Sequence, residues 1–218
     1  MTMLFDLPPA PSLPITGSDR RFPVRRIFCV GQNYAAHAKE MGSTPDRDEP
    51  MFFTKHAAAL CQSGATVPYP PGTANFHYEM ELVVAIGADG LFGYACGLDM
   101  TRRDLQAAAK AAGKPWDLAK NFENAAVVAA ITPADAFGKL AAQCIALARN
   151  GETRQDATLD EMVWSVPQLL AALARYYTLQ PGDLLFTGTP AGVGPVAPGD
   201  VLAGTIDGLE PVSLTIAG

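Results

Sequence analysis

Apolar residues along this chain come mostly in short runs, each closed by turn-forming residues, and the runs have the length of strands rather than helices. "RRIFCVG" (25–31), "YEMELVVAIG" (78–87), "LFGYACGLDM" (91–100), "AAVVAAITPAD" (125–135) and "LLFTGTPAGVG" (184–194) each predict a strand, and "PMFFTKHAAAL" (50–60) a strand or loop. In "LVVAIG" apolar residues are consecutive, the pattern of a strand covered on both faces. Asn150-Gly151 inside "CIALARNGETRQDA" is a hairpin turn, and Asp207-Gly208 separates two short strands in the tail. Helical spacing is confined to three stretches. "NYAAHAKEMG" (33–42) carries Asn33 as a candidate N-cap and Gly42 as a stop. "TRRDLQAAAKAAG" (101–113) has Thr101 as its candidate cap. "TLDEMVWSVPQLLAALARYYTLQPGD" (158–183) reads as one helix with Pro167 near its first turn. Many strands, few helices and frequent turns predict a β-rich α+β fold. The proline-rich residues 7–24 lie in an N-terminal extended arm (1–24), and the remainder (25–218) in one domain.

Composition narrows the function classes. Of 218 residues, 49% are hydrophobic and 17% charged, as in a compact globular protein, and the net charge of −6 with no basic stripe argues against nucleic acid or an anionic membrane as partner. No apolar run is long enough to span a bilayer, and the N-terminus lacks the basic and apolar regions of a signal peptide, so the expected location is the cytoplasm. Cys29, Cys61, Cys96 and Cys144 are scattered and form no zinc pattern; three of them sit in apolar surroundings, as buried free thiols of a reducing compartment do.

The candidate chemistry begins at "NFHYEMELVVAIG" (75–87). Glu79 and Glu81 are two apart, so on a strand both point the same way. Isolated E-x-E pairs are usually solvated edges, but this one abuts a run buried on both faces. Two converging buried carboxylates repel, and a hard divalent cation turns that repulsion into a chelate. Asp99, where an apolar strand meets a helix, is either a helix-start residue or a third oxygen donor. His37 and Glu40 are three apart on a helical face, either a surface pair or a general base oriented by a carboxylate. Lys120, a lone cation in "PWDLAKNF", either snorkels or holds a developing enolate or carboxylate. "FTGTPAGVG" lacks the Gly-Lys-Ser/Thr of a phosphate loop but presents Thr189 and backbone N–H groups on a turn that suits an anion.

Taken together, "VGQNYAAHAKEMG", "FHYEMELVVAIG", "GYACGLDMTRRDLQ", "PWDLAKNF", "NGETRQDATLDEMVWSVPQLLA" and "LQPGDLLFTGTPAGVGPV" resemble, in order, the fumarylacetoacetate hydrolase family over nearly the whole chain from residue 25. The resemblance implies a mixed β-sandwich roll, usually a homodimer, that binds Mg²⁺ or Mn²⁺ through Glu79, Glu81 and Asp99. It implies a His37–Glu40 catalytic dyad, Lys120 as the active-site lysine, and Arg103, Gln106 and Thr189 as substrate contacts. The implied activity is hydrolysis of a carbon–carbon bond in a small keto-acid substrate, an acylpyruvate. The arm and "GKPWDLAKNF" are most similar to members that cleave fumarylpyruvate; oxaloacetate decarboxylation or keto-acid isomerisation on the same site is the alternative. Three features depart from the family pattern: Gln32 replaces a usual arginine or lysine, His56 replaces a usual proline, and "VAIGADGLFGYACG" is short, which leaves open any lid role for that loop.

Overall fold

The computed structural model of the protein describes residues 4–6, 8–44 and 48–218. The first part of the expected arm, residues 1–3 and 7, lies outside the described residues. Within the expected extended arm, residues 12–23 form a paired ribbon. β1 (Ser12–Ile15) and β2 (Ser18–Pro23) pair antiparallel around Gly17, whose φ of 75° suits a residue without a side chain. Leu13, Phe22 and Val24 are buried, so apolar burial clamps this ribbon to the body.

β3 (Arg26–Gly31) follows and leads into α1 (Ala35–Glu40). Asn33 does not cap this helix. Its Nδ2 donates to the carbonyls of Trp164 (3.0 Å) and Thr187 (2.8 Å), and its Oδ1 accepts from the Trp164 N–H at 2.7 Å. A side chain saturated across the fold has nothing left for the cap, and the helix starts one residue later from Tyr34. Gly42 does end it, with φ 69°.

β4 (Met51–Lys55), β5 (Leu60–Gln62), β6 (Ala65–Val67) and β7 (Phe76–Tyr78) precede the long hairpin of β8 (Met80–Gly87) and β9 (Gly90–Asp99). The hairpin closes tightly, with Gly87 paired to Gly90, so the short segment seen in the sequence is a turn with no room for a lid. β10 (Thr101–Arg102) and α2 (Arg103–Ala111) come next. Thr101 is no cap either: its backbone pairs with His77 and its hydroxyl donates to the Asp99 carbonyl at 3.1 Å.

α3 (Asp117–Lys120), β11 (Ala126–Val128), β12 (Thr132–Pro133) and α4 (Ala134–Phe137) lead to the Asn150-Gly151 hairpin of β13 (Cys144–Arg149) and β14 (Glu152–Thr158). The single helix expected over 158–183 is only α5 (Val166–Leu173). Two capping boxes in succession, Thr158 with Glu161 and Ser165 with Gln168, start separate turns there, so the first ends before the second begins. β15 (Asp183–Phe186), β16 (Gly194–Pro195), β17 (Val201–Ile206) and β18 (Val212–Ile216) complete the chain.

The strands form a mixed, curled architecture. One large sheet runs β4-β3-β15-β8-β9-β11-β5 with β12 on the flank; a second runs β14-β13-β17-β18-β6; β10-β7-β16 forms a small third. Leu82, Val84, Ile86, Cys96 and Leu98 of the β8–β9 hairpin face the second sheet and pack on Ile145, Leu147, Leu202 and Leu214. Val83, Ala85 and Ala95 face the other way, onto Ile27, Leu184, Phe186 and the ribbon residues. β8 is therefore covered on both faces, as its unbroken apolar run predicts. Among the described residues no helix is long and apolar enough to cross a membrane.

Candidate metal centre and active site

The acidic cluster forms where β8 begins and β9 ends. Glu81 shares a face with Val83 and Ala85, and Glu79 stands at the break between β7 and β8. The β8–β9 register sets Met80 against Leu98 and Glu81 against Gly97; the Asp99 N–H donates to the Glu79 carbonyl at 2.8 Å, placing Asp99 beside Glu79. Gly97 contributes no side chain, since a Cβ there would lie 2.9 Å from Phe186. Carboxylate oxygens of Glu79, Glu81 and Asp99 all lie within 4.8 Å of one another, and all three residues are buried.

Three buried cations answer this charge. Lys120 Nζ donates to Glu79 Oε2 (2.7 Å) and Asp99 Oδ2 (2.8 Å). Arg103 pairs with Glu79 and donates to Gln106 Oε1, while its Nε reaches His77 Nδ1 at 3.4 Å. Lys55 Nζ lies 2.8 Å from Asp99 Oδ1 and donates to the carbonyls of Met100 and Lys120. Burial works to raise the Glu79 pKa, but the charges of Lys120 and Arg103 outweigh it and hold it below the usual carboxylate range. For Lys120, burial works downward and Asp99 and Glu79 outweigh it upward.

Glu81 differs. It has no cation within ion-pair distance among the described residues, only the Gly188 N–H at 2.7 Å. Burial, then the charges of Asp99 and Glu79, push its pKa well above the usual range. Asp99 Oδ1 is buried without a well-formed hydrogen bond even though Lys55 is close. A buried acid with no cation beside it, in an all-oxygen donor set, fits a hard divalent cation held by Glu79, Glu81 and Asp99.

The other expected residues converge on the same cleft. His37, Arg103, Gln106, Lys120 and Thr189 line it together with Glu79 and Glu81; it encloses about 480 Å³ of empty space, part of it open to solvent. His37 Nδ1 is 3.1 Å from Glu40 Oε2, which leaves Nε2 as the ring nitrogen free for other work. Glu40 stands behind His37, outside the cleft lining, and also accepts from the Gly192 N–H at 3.1 Å. Gly188 must be glycine: φ is 95°, a Cβ would meet that of Asn33 at 2.7 Å, and its N–H serves Glu81.

Three residues absent from the sequence expectation support the site. Lys55 reaches Asp99 from strand β4; its signal, as for Lys120, is a lone cation in an apolar stretch. His77 braces Arg103 while its Nε2 bonds Asn75 Oδ1 at 2.8 Å. Gln155, fully buried on β14, accepts from the Met80 N–H (3.0 Å) and donates to Thr189 Oγ1 and the Pro190 carbonyl (2.8 Å each). A lone glutamine in an alternating strand carries no sequence signal for this role.

The family described as fumarylacetoacetate (FAA) hydrolase C-terminal matches residues 26–217. A fumarylpyruvate hydrolase from a Ralstonia species is 46% identical over 190 residues, covering 81% of this chain and 98% of the relative. An oxaloacetate tautomerase of Escherichia coli K12 is 40% identical, covering 86% and 90%. A crystal structure of fumarylpyruvate hydrolase from Pseudomonas aeruginosa in complex with Mn²⁺ and pyruvate superposes with a TM-score of 0.93 at 46% identity, covering 99% of each chain.

Proposed function

Because this chain belongs to the fumarylacetoacetate hydrolase family, we propose that it hydrolyses the carbon–carbon bond of an acylpyruvate, with fumarylpyruvate, cleaved to fumarate and pyruvate, as its substrate. The observation that carries the reading is the meeting of the Glu79–Glu81–Asp99 cluster with His37, backed by Glu40, at one cleft, in a chain this similar to fumarylpyruvate hydrolases.

In this reading Glu79, Glu81 and Asp99 hold Mg²⁺ or Mn²⁺, which when bound supplies Lewis acidity toward the keto-acid oxygens. Arg103, Gln106 and Thr189 orient the keto-acid head. Glu40 accepts a hydrogen bond from the His37 Nδ1–H and so presents Nε2 as a base toward water. Nε2 takes a proton from water, and the resulting hydroxide adds to the distal carbonyl carbon. The bond from that carbon to the methylene carbon then breaks. Its electron pair leaves on the pyruvate enolate, which recovers a proton from His37. Lys120 and Arg103 set positive charge beside the developing enolate, where one such group typically contributes 10²–10³ in rate.

The cellular setting follows the same reading. The protein works as a cytoplasmic homodimer in aromatic catabolism, supported by three buried free thiols and by exposed apolar side chains such as Leu118 and Tyr176. The tautomerase relative favours a second reading, isomerisation of oxaloacetate. A panel of fumarylpyruvate, acetylpyruvate and oxaloacetate, followed by loss of enol absorbance and by product identity, separates them. Fumarate and pyruvate from fumarylpyruvate support the hydrolase; turnover of oxaloacetate alone refutes it.

A further inference from the structure

The cleft is lined by three long cations, and two are already engaged: Arg103 by Glu79, and Lys120 by Glu79 and Asp99. The side chain of the third, Lys110, makes no ion pair or hydrogen bond among the described residues. It lies on α2 with Arg103 and Gln106 at spacing i, i+3, i+7, so the three share one helical face. The Arg103 and Lys110 backbones are about 10 Å apart along the axis at 1.5 Å rise per residue, the scale of a seven-carbon chain. Lys110 stands on the exposed part of α2, whereas Arg103 and Gln106 are buried. Between the ends, Met41, Phe53 and Trp116 give the cleft an apolar wall.

We infer that Lys110 is a specificity residue that receives the distal carboxylate of a dicarboxylic acylpyruvate while the keto-acid head lies at the Arg103–Gln106 end. The inference rests on the hydrolase reading above and adds the residue that recognises the anionic end of the acyl group, with the apolar wall facing the chain between the two ends. A monoanionic acylpyruvate gains nothing from this lysine.

The test compares fumarylpyruvate with acetylpyruvate, which share the dioxo head and differ in the distal carboxylate, on the Mn²⁺-loaded enzyme and its Lys110→Met and Lys110→Arg variants. Lys110→Met should lower the ratio of kcat/KM for fumarylpyruvate over acetylpyruvate about five- to tenfold, the range for a charged contact at a partly exposed position. The loss should lie in KM, Lys110→Arg should recover most of it, and the difference between wild type and Lys110→Met should shrink as salt is added. An unchanged ratio in Lys110→Met overturns the inference. If the wild type cleaves neither acylpyruvate, the hydrolase reading fails on its own, and calorimetric titration with fumarylpyruvate and pyruvate still decides the role of Lys110. Selective weakening of fumarylpyruvate binding in Lys110→Met upholds it, and equal affinities sink it.

Discussion

Replacing Gln155 by leucine removes one amide and keeps most of the volume. In the folded protein that amide serves the Met80 N–H, the Pro190 carbonyl and the Thr189 hydroxyl, and none of these sites is open to water. Leucine leaves a backbone donor and a backbone acceptor buried and unsatisfied. At roughly 1–3 kcal/mol each, the pair costs about 2–6 kcal/mol, set against a total stability of order 5–15 kcal/mol. Urea denaturation should show a lower midpoint with an unchanged slope. Two controls locate the cause. Thr189→Ala leaves Gln155 on Met80 and Pro190 and should cost about 1 kcal/mol or less. Gln155→Glu keeps an acceptor for Met80 but cannot donate when ionised, so it should be destabilised at neutral pH and partly recover at acid pH as the carboxyl protonates. Because Gln155 ties the start of β8 to the loop carrying Thr189, kcat/KM should fall in Gln155→Leu under conditions where the protein is still folded. A Gln155→Leu variant within 0.5 kcal/mol of wild type would refute the reasoning that these groups have no other partner.

His37→Ala and Lys120→Met should each reduce turnover by about 10²–10³, and calorimetric titration should show that His37→Ala still takes up Mn²⁺. Glu81→Gln should fold, since burial already favours the neutral form of Glu81, yet lose divalent-ion affinity in the same titration. Because Glu81 must ionise to ligate, ion binding by the wild type should release a proton and strengthen as pH rises, read from binding heats in buffers of different ionisation enthalpy. The half-buried His77, whose pKa is lowered first by desolvation and then by the charge of Arg103, is pushed down to about 4. Its folded value lies below its unfolded one, so the unfolded chain binds the extra proton first. Its contribution to stability is present above about pH 6.5 and is lost as pH falls toward 4; the pH slope of stability over that window should flatten in His77→Asn.

Much of the candidate site was legible because it is local. The Glu-x-Glu spacing sets Glu79 and Glu81 two apart where β8 begins, helical spacing puts His37 beside Glu40 and Arg103 beside Gln106, and an unbroken apolar run marks β8 as covered twice. Where local signals failed, a distant partner had outbid them. Asn33 and Thr101 have cap chemistry, but their hydrogen bonds go to Trp164 and Thr187, and to Asp99. The long helix expected over 158–183 was broken by a second capping box that competes with the first.

Residue order along the chain determined which side chains are acids, bases and cations, and which face of its own element each occupies, since backbone periodicity sets the latter within a few residues. Only the folded sheet decided that Asp99 meets Glu79, that Lys55 comes in from β4, and that Gln155 arrives from a different sheet to hold the Thr189 loop. Those meetings depend on strand register and on burial shared by segments far apart in the chain. Hydrogen bonds and charges removed from water are satisfied by whichever partner the packed core brings within reach, and no local pattern encodes that partner.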